Sequence, residues 1–260
     1  MRNELNAITA IAYRDLMKFL RDPARIAATF IFPLMFIFIL GTSMQASFGG
    51  GVGYNLLIVT FTGVFAQTLF QSTATGVISL IEDRENDFSQ EIFVSPISRY
   101  SIVIGKILGE SLVALPQAIG ILLFGFIAGV PLSLGQLINM IPVAIAVCLF
   151  GGAFGVLVLS NLKSQRAANQ IFPFIMLPQL FIAGVFAPLH NLPWFLNILS
   201  LIAPLRYAVD FSRSVFYIGR SDYDRVVLDS PLFNISVMGA MFAAFLLVGT
   251  FLFVRGERNR

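Results

Sequence analysis

Six stretches of this sequence, near 26–45, 54–81, 103–129, 136–160, 168–188 and 233–254, are continuous apolar runs. Each is about the ~20 residues a helix needs to cross a bilayer. Such runs leave few folds open. In hydrocarbon every backbone N–H and C=O must find a partner, and a helix finds it within its own segment. The sequence therefore predicts an all-α integral membrane protein with six transmembrane helices in a single domain, 1–260. Composition agrees: 57% of residues are hydrophobic, 12% are charged, and 27 are phenylalanine. Soluble domains run at about 45–50% apolar and about 25% charged.

The same numbers exclude other classes. A net charge of +3, spread over several loops, does not suggest nucleic acid as a partner. One cysteine, Cys148, rules out a disulfide framework; it lies in an apolar run and reads as packing. One histidine, His190, offers no metal-ligand set and reads as a solvent-facing loop residue. The first 25 residues carry Arg2, Arg14, Lys18, Arg21 and Arg25 around no apolar core, unlike a signal peptide.

Basic residues orient the spans, because cytoplasmic loops carry the excess of Lys and Arg. With both termini in the cytoplasm, thirteen of the 17 basic residues fall inside. The four outside, Arg206, Arg213, Arg220 and Arg225, share one long segment, and the loops at 46–53 and 130–135 have none. That places the chain in the cell membrane as a multi-pass protein. Asp22-Pro23 opens the first span well, since aspartate caps free amides and proline suits the first helical position.

Two segments do not cross. Residues 4–20 place Leu5, Ile8, Ala12, Leu16 and Phe19 on one face and Arg14, Asp15 and Lys18 on the other. This amphipathic helix is expected to lie along the cytoplasmic interface. Residues 191–207, "NLPWFLNILSLIAPLRY", hold only about eleven apolar residues between Pro193 and Pro204, too few to span. They predict a re-entrant extracytoplasmic element between the fifth and sixth spans, within 188–232, with Trp194 at the membrane–water boundary.

The loop at 82–98 then needs explaining. From Glu82 to Lys106 the chain packs five carboxylates and three basic groups between two apolar runs. Its first half extends the second span as helix, Ser95-Pro96 ends that helix, and Ser98 caps the third span. Phe88 and Ile92 align at i, i+4 beside Asp87 and Glu91, giving a stub with exposed apolar groups among acids. A solvated loop accounts for the charges but not for Phe88, Ile92 and Phe93. A docking knob for a soluble partner accounts for both.

This loop resembles the cytoplasmic loop of type-2 ATP-binding-cassette (ABC-2) permeases, especially drug- and nodulation-factor-type exporters. Arg84, Glu85, Phe88, Glu91, Ile92, Val94, Pro96, Ser98 and Arg99 match the pattern, "GKIL" (Gly105–Leu108) follows, and Asp87 stands where the family usually has glycine. Phe186–Gly219 is similar to the family's outer segment through Pro188, Pro193, Pro204, Tyr207, Arg213 and Gly219. The resemblance implies a half-transporter: a second permease copy, as a homodimer or with a related chain, and two ATPase subunits that bind the ATP and magnesium. It makes Arg84, Glu85, Phe88, Glu91, Ile92, Pro96 and Arg99 the ATPase-coupling residues. Pro193, Trp194, Pro204, Arg206 and Tyr207 become an extracytoplasmic gate. The chain itself has no catalytic residues, cofactor or metal in this reading. Its one phosphate-loop lookalike, Gly105-Lys106, has Tyr100 in place of the first glycine and Ile107 in place of Ser/Thr.

Polar groups inside the spans come last. Glu110 lies about two turns into the third span, one turn after Lys106 on the same face, where the two can pair. Thr60, Gln67, Gln71 and Thr75 form a stripe on the second span. Such groups more commonly glue helices together than line a polar path; the resemblance points Gln67 and Gln71, with Thr75, toward the path, with Gln179 of the fifth span as their counterpart. Gly105/Gly109, Gly125/Gly129 and Gly151/Gly155 mark close helix packing. The expected function is an exporter permease for an amphipathic or lipid-like substrate. An ion-coupled carrier predicts several intramembrane acids and an inverted repeat, of which the chain shows one acid and no obvious repeat. A lipid-modifying enzyme needs a reactive cluster that the outer loop does not present.

Overall fold

The computed structural model describes residues 2–85, 98–160, 162 and 164–258, and these are helical throughout apart from short connections. In chain order the helices are α1 (Arg2–Leu20), α2 (Pro23–Leu34), a π-helical stretch Met35–Gly41, α3 (Thr42–Val52), α4 (Leu56–Gly76) and α5 (Ser79–Glu85). Then follow α6 (Arg99–Ile127), α7 (Leu134–Leu159), α8 (Gln165–Ile182), α9 (Trp194–Ile202), α10 (Pro204–Phe216), α11 (Tyr223–Val226) and α12 (Pro231–Arg258). Among the described residues, five stretches are long and apolar enough to cross a membrane: Pro23–Val52, Leu56–Glu82, Tyr100–Ile127, Leu134–Leu159 and Tyr223–Phe253. The pair α9–α10, bent by 85°, makes a sixth if counted as one span.

The run expected as the fifth span is α8. It is shifted toward the polar side, starting at Gln165 and stopping at Ile182, where Gly184 (φ 72°) turns the chain. Gln165, Arg166, Asn169 and Gln170 dilute its first two turns, so α8 falls short of the other spans in apolar character. The expected capping is present. Asp22 Oδ1 accepts from Arg25 N at 2.9 Å, and Ser98 Oγ from Tyr100 N at 3.2 Å.

The core forms around α4. From Leu56 to Phe70 every residue is buried, which suits a helix that is hydrophobic on all sides. α7 lies against it at backbone distance: a Cβ on Gly151 would stand 2.4 Å from Phe70 O, and one on Gly155 2.5 Å from Ala74 O. Phe70 fills the seam against Phe150 and Phe154, with ring centroids at 5.5 and 5.3 Å. Gly125 also packs closely, on the Phe61 ring, but Gly129 ends its helix at φ 86° in open space instead of packing.

α1 differs from the sequence expectation in one respect. It packs lengthwise on α6, where Gly105 and Gly109 let the backbone of Ile8 and Ala12 approach. Leu5 is 60% exposed, whereas Asp15, expected on the polar side, is 4% exposed. The buried face of α1 therefore runs through Ala12, Asp15 and Phe19, because Lys106 waits opposite Asp15.

At the other end of the bundle, α9 to α11 form a cap. Pro204 opens α10 after Ala203, whose extended ψ of 114° sets the bend. Asp210 then staples the cap to α12: its Oδ1 accepts from Leu228 N (2.9 Å), and its Oδ2 from Asp229 N (2.8 Å) and Asn234 Nδ2 (2.8 Å). Arg213, counted above among loop cations, is fully buried and donates to Val185 O at 2.9 Å and Val59 O at 3.3 Å. The Val185 carbonyl reaches that place because Gly63 has no side chain; a Cβ there would sit 1.9 Å away.

Candidate functional site: a polar cleft beside a buried charge cluster

The end of the bundle that carries α1 holds the densest set of charges among the described residues. Lys106 Nζ lies 2.6 Å from Asp15 Oδ2 and 2.9 Å from Glu110 Oε1, with all three side chains 2–4% exposed. The i, i+4 pair was legible from spacing; Asp15, 91 residues away, was not. Arg14 extends the cluster by contacting Asp15 Oδ1 at 3.2 Å, and Arg25 stands 4.0 Å from Glu110 Oε2. Lys106, Asp15 and Glu110, removed from water, persist as charges only because they are paired this closely, while Arg14 and Arg25 stay partly exposed.

Glu4 fixes the start of α1 to the same helix. Its carboxylate accepts from the Ser101 side chain and from Ser98 N at 3.0 Å, which holds its carboxyl below the usual carboxylate range. The sign follows from linkage: a depressed folded pKa adds stability above the unfolded value, and that stability is lost as pH falls through the folded one. The protection of the Ser98 amide against exchange, relative to its intrinsic rate at each pH, is therefore expected to fall once the pH drops below the normal carboxylate range and to be constant from there to neutrality. In Glu4→Gln this acid step should disappear.

Next to the cluster, α2 and α4 border two adjoining cavities, the first closed on its far side by α6 and the second by α5 and α8. One, of about 280 Å³, is lined by Arg25, Thr29, Phe32, Gln67, Gln71 and Gln117, among others. The second, of about 370 Å³, shares Arg25, Gln71 and Thr75 with it and reaches Glu82, Gln165 and Asn169. Three of the four stripe residues thus meet a cavity, while Thr60 stays buried with an unpartnered hydroxyl. Gln67 donates its amide to Gln71 Oε1, and Thr75 Oγ1 turns back to Gln71 O at 2.7 Å. Gln179 does not line either cavity; its Oε1 accepts from Leu205 N at 3.4 Å, tying α8 to α10.

The residues expected at the outer segment lie together in the cap. Trp194 is 77% exposed beside Pro193. Arg206 is buried, donating to Ser200 Oγ at 3.0 Å and lying 3.9 Å from Asp229, and Tyr207 OH donates to Leu201 O at 2.8 Å. His190 is exposed, as expected, with its Nε2 2.8 Å from Arg225 O. Cys148 is buried in the core. Of the coupling residues, Phe88, Glu91, Ile92 and Pro96 lie outside the described residues; Arg84 and Glu85 close α5, and Arg99 opens α6.

Sequence reasoning missed Asp15, Arg25 and Gln117. Asp15 shares the helical register of Ile8, Ala12 and Phe19, but its charge argued for the polar side and its cation lies 91 residues away. Gln117 had no signal, being one amide in an apolar helix.

A family model described as "ABC-2 type transporter" matches residues 6–217 of this chain. The chain is similar to "Putative transport permease ycf38" of Cyanophora paradoxa, with 26% identity over 220 residues, 83% of this chain and 74% of that protein. The protein of the same name from Porphyra purpurea is 24% identical over 254 residues, 91% of this chain and 87% of the relative. "Probable multidrug ABC transporter permease YbhR" of Escherichia coli (strain K12) is 29% identical over 140 residues, covering 54% of this chain but only 38% of that relative.

Proposed function

Because this chain belongs to the ABC-2 type transporter family, and is thus a multi-pass transport permease subunit, we propose that it exports an amphipathic or lipid-like substrate with energy from a separate ATPase. Two ATPase subunits would serve two permease copies, with the α1 end and both termini in the cytoplasm. ATP binding would close the ATPases on the segment from Arg84 to Arg99. The push would travel through α5 into α4 and α6, which flank that segment in sequence. The cleft along α2 and α4, bounded by α6 and α8, would receive the cargo, and the cap from Leu192 to Arg206 would act as the outer gate.

The observation that carries this reading is the cleft itself. Amides of the second span open sideways there, beside the first span and facing the third and fifth helices, instead of being spent on helix–helix contacts. A path for an amphipath needs such a polar flank next to apolar walls, and Phe32 and Pro33 supply the apolar wall. The exposed apolar face of α8, with Phe174, Leu177 and Phe181, supports a second permease copy or lipid on that side.

The coupling assignment is tested by pull-down. Phe88→Asp with Glu91→Arg is expected to reduce co-purification with the ATPase at least tenfold while membrane insertion persists. Retention of the ATPase by this double variant would move the docking site elsewhere.

A further inference from the structure

Resting on that reading, we propose that the cleft selects cargo by its headgroup: the smaller cavity takes an anionic head that also carries a hydrogen-bond donor, with Arg25 as the counter-charge.

Charge gives the first argument. In the cluster, Lys106 takes up both carboxylates, Asp15 at 2.6 Å and Glu110 at 2.9 Å. Arg25, at the edge of the cluster with its side chain 47% exposed, is the member that lines both cavities. At 4.0 Å its guanidinium is beyond hydrogen-bonding distance of Glu110 Oε2, and it rests over the Phe19 ring at 5.7 Å. Glu82, on the wall of the larger cavity, disfavours an anion there, so the smaller cavity is the anion's place.

Unspent hydrogen-bonding capacity gives the second. Gln117 is 2% exposed and lines the smaller cavity, yet its Oε1 has no partner among the described residues. A buried acceptor left unpaired is costly, so it calls for a donor from whatever fills the space. Gln71 accepts from Gln67 through Oε1, which leaves its own amide nitrogen to donate. One guanidinium, one amide donor and one amide acceptor around about 280 Å³ match a phosphate or carboxylate bearing a hydroxyl or N–H group. The other wall, Ala28, Phe32 and Pro33, is apolar and leads along α2, where a hydrocarbon tail can lie.

The test needs no ATPase, so its outcome is independent of whether the coupling assignment holds. The full chain in detergent is titrated with short-chain phosphatidylglycerol, with phosphatidylcholine of equal chain length, and with soluble sn-glycerol 3-phosphate. Phosphatidylglycerol is expected to bind at least about tenfold more tightly than phosphatidylcholine, the scale of one charge-assisted hydrogen bond. Arg25→Gln should remove most of that preference, weakening phosphatidylglycerol more than phosphatidylcholine, whose phosphate carries a charge of its own; Arg25→Lys should keep part of it, and Gln117→Leu should weaken phosphatidylglycerol severalfold. Arg21→Gln, an exposed cation one turn earlier, should leave the preference intact. The proposal is overturned by equal binding of the two lipids, by a preference that mostly survives Arg25→Gln, or by equal losses in Arg21→Gln and Arg25→Gln. Binding of glycerol phosphate as tight as the lipid would assign the cavity to a soluble anion and overturn the amphipath assignment.

Discussion

Lys106→Met is expected to destabilise the protein by about 3–5 kcal/mol, the usual penalty for leaving a buried charge without its partner. The ammonium sits 2.6 Å from Asp15 and 2.9 Å from Glu110, and no water-exposed route lets either carboxylate relax, because both side chains are 4% exposed. Arg14 would still face Asp15, but Arg25 is too distant from Glu110 to replace a bond of 2.9 Å. Removing all three charges together, as Asp15→Leu, Lys106→Met and Glu110→Leu, should recover most of the loss. Desolvation opposes a buried ion network about as strongly as pairing favours it. Thermal unfolding in detergent measures both variants. If the single variant melts with the parent, or the triple variant melts below the single one, the cluster does not hold α1 to α6 in the way described.

The second large effect is expected at Asp210. Asp210→Ala removes the charged acceptor of three hydrogen bonds, from the part-buried Leu228 N and Asp229 N and from the buried Asn234 Nδ2, which keeps only a 3.3 Å bond to Asp229 O, at about 1–3 kcal/mol each before relaxation. Asp210→Asn is the sharper test. An amide has one oxygen, and the carboxylate uses both: whichever way the side chain is turned, its nitrogen faces at least one donor. Asparagine is therefore expected to lose at least about 1–3 kcal/mol despite its matching shape. Local melting should show as protease cleavage between Val227 and Pro231 in the variant and not in the parent. Full resistance of Asp210→Asn would mean that packing, not the carboxylate, fastens the cap.

Both predictions lie where the sequence was hardest to read. The α-helical class, the spans and the caps at Asp22 and Ser98 came directly from local features: apolar run length, proline position, and residues one turn apart. Lys106 and Glu110 were paired for the same reason, because a helix makes i and i+4 neighbours whatever surrounds it. Local periodicity also assigned a polar face to α1, and there it failed for Asp15, since burial of a carboxylate depends on a cation 91 residues away.

The tertiary structure alone decided which polar groups are spent and which remain free. Gln67, Gln71 and Gln179 look alike in the sequence, as amides in apolar helices. Packing turns Gln179 onto the backbone of Leu205 and leaves Gln67 and Gln71 beside a cavity with Arg25 and Gln117, residues from helices far apart in the chain. Arg213 likewise reads as a loop cation, until Gly63 lets the Val185 carbonyl approach and accept its hydrogen bond. What the chain settles by itself is what each segment can become in lipid, because the backbone must satisfy its own hydrogen bonds there. Which side chains face one another is settled by close packing between helices, and that information is spread over the whole sequence.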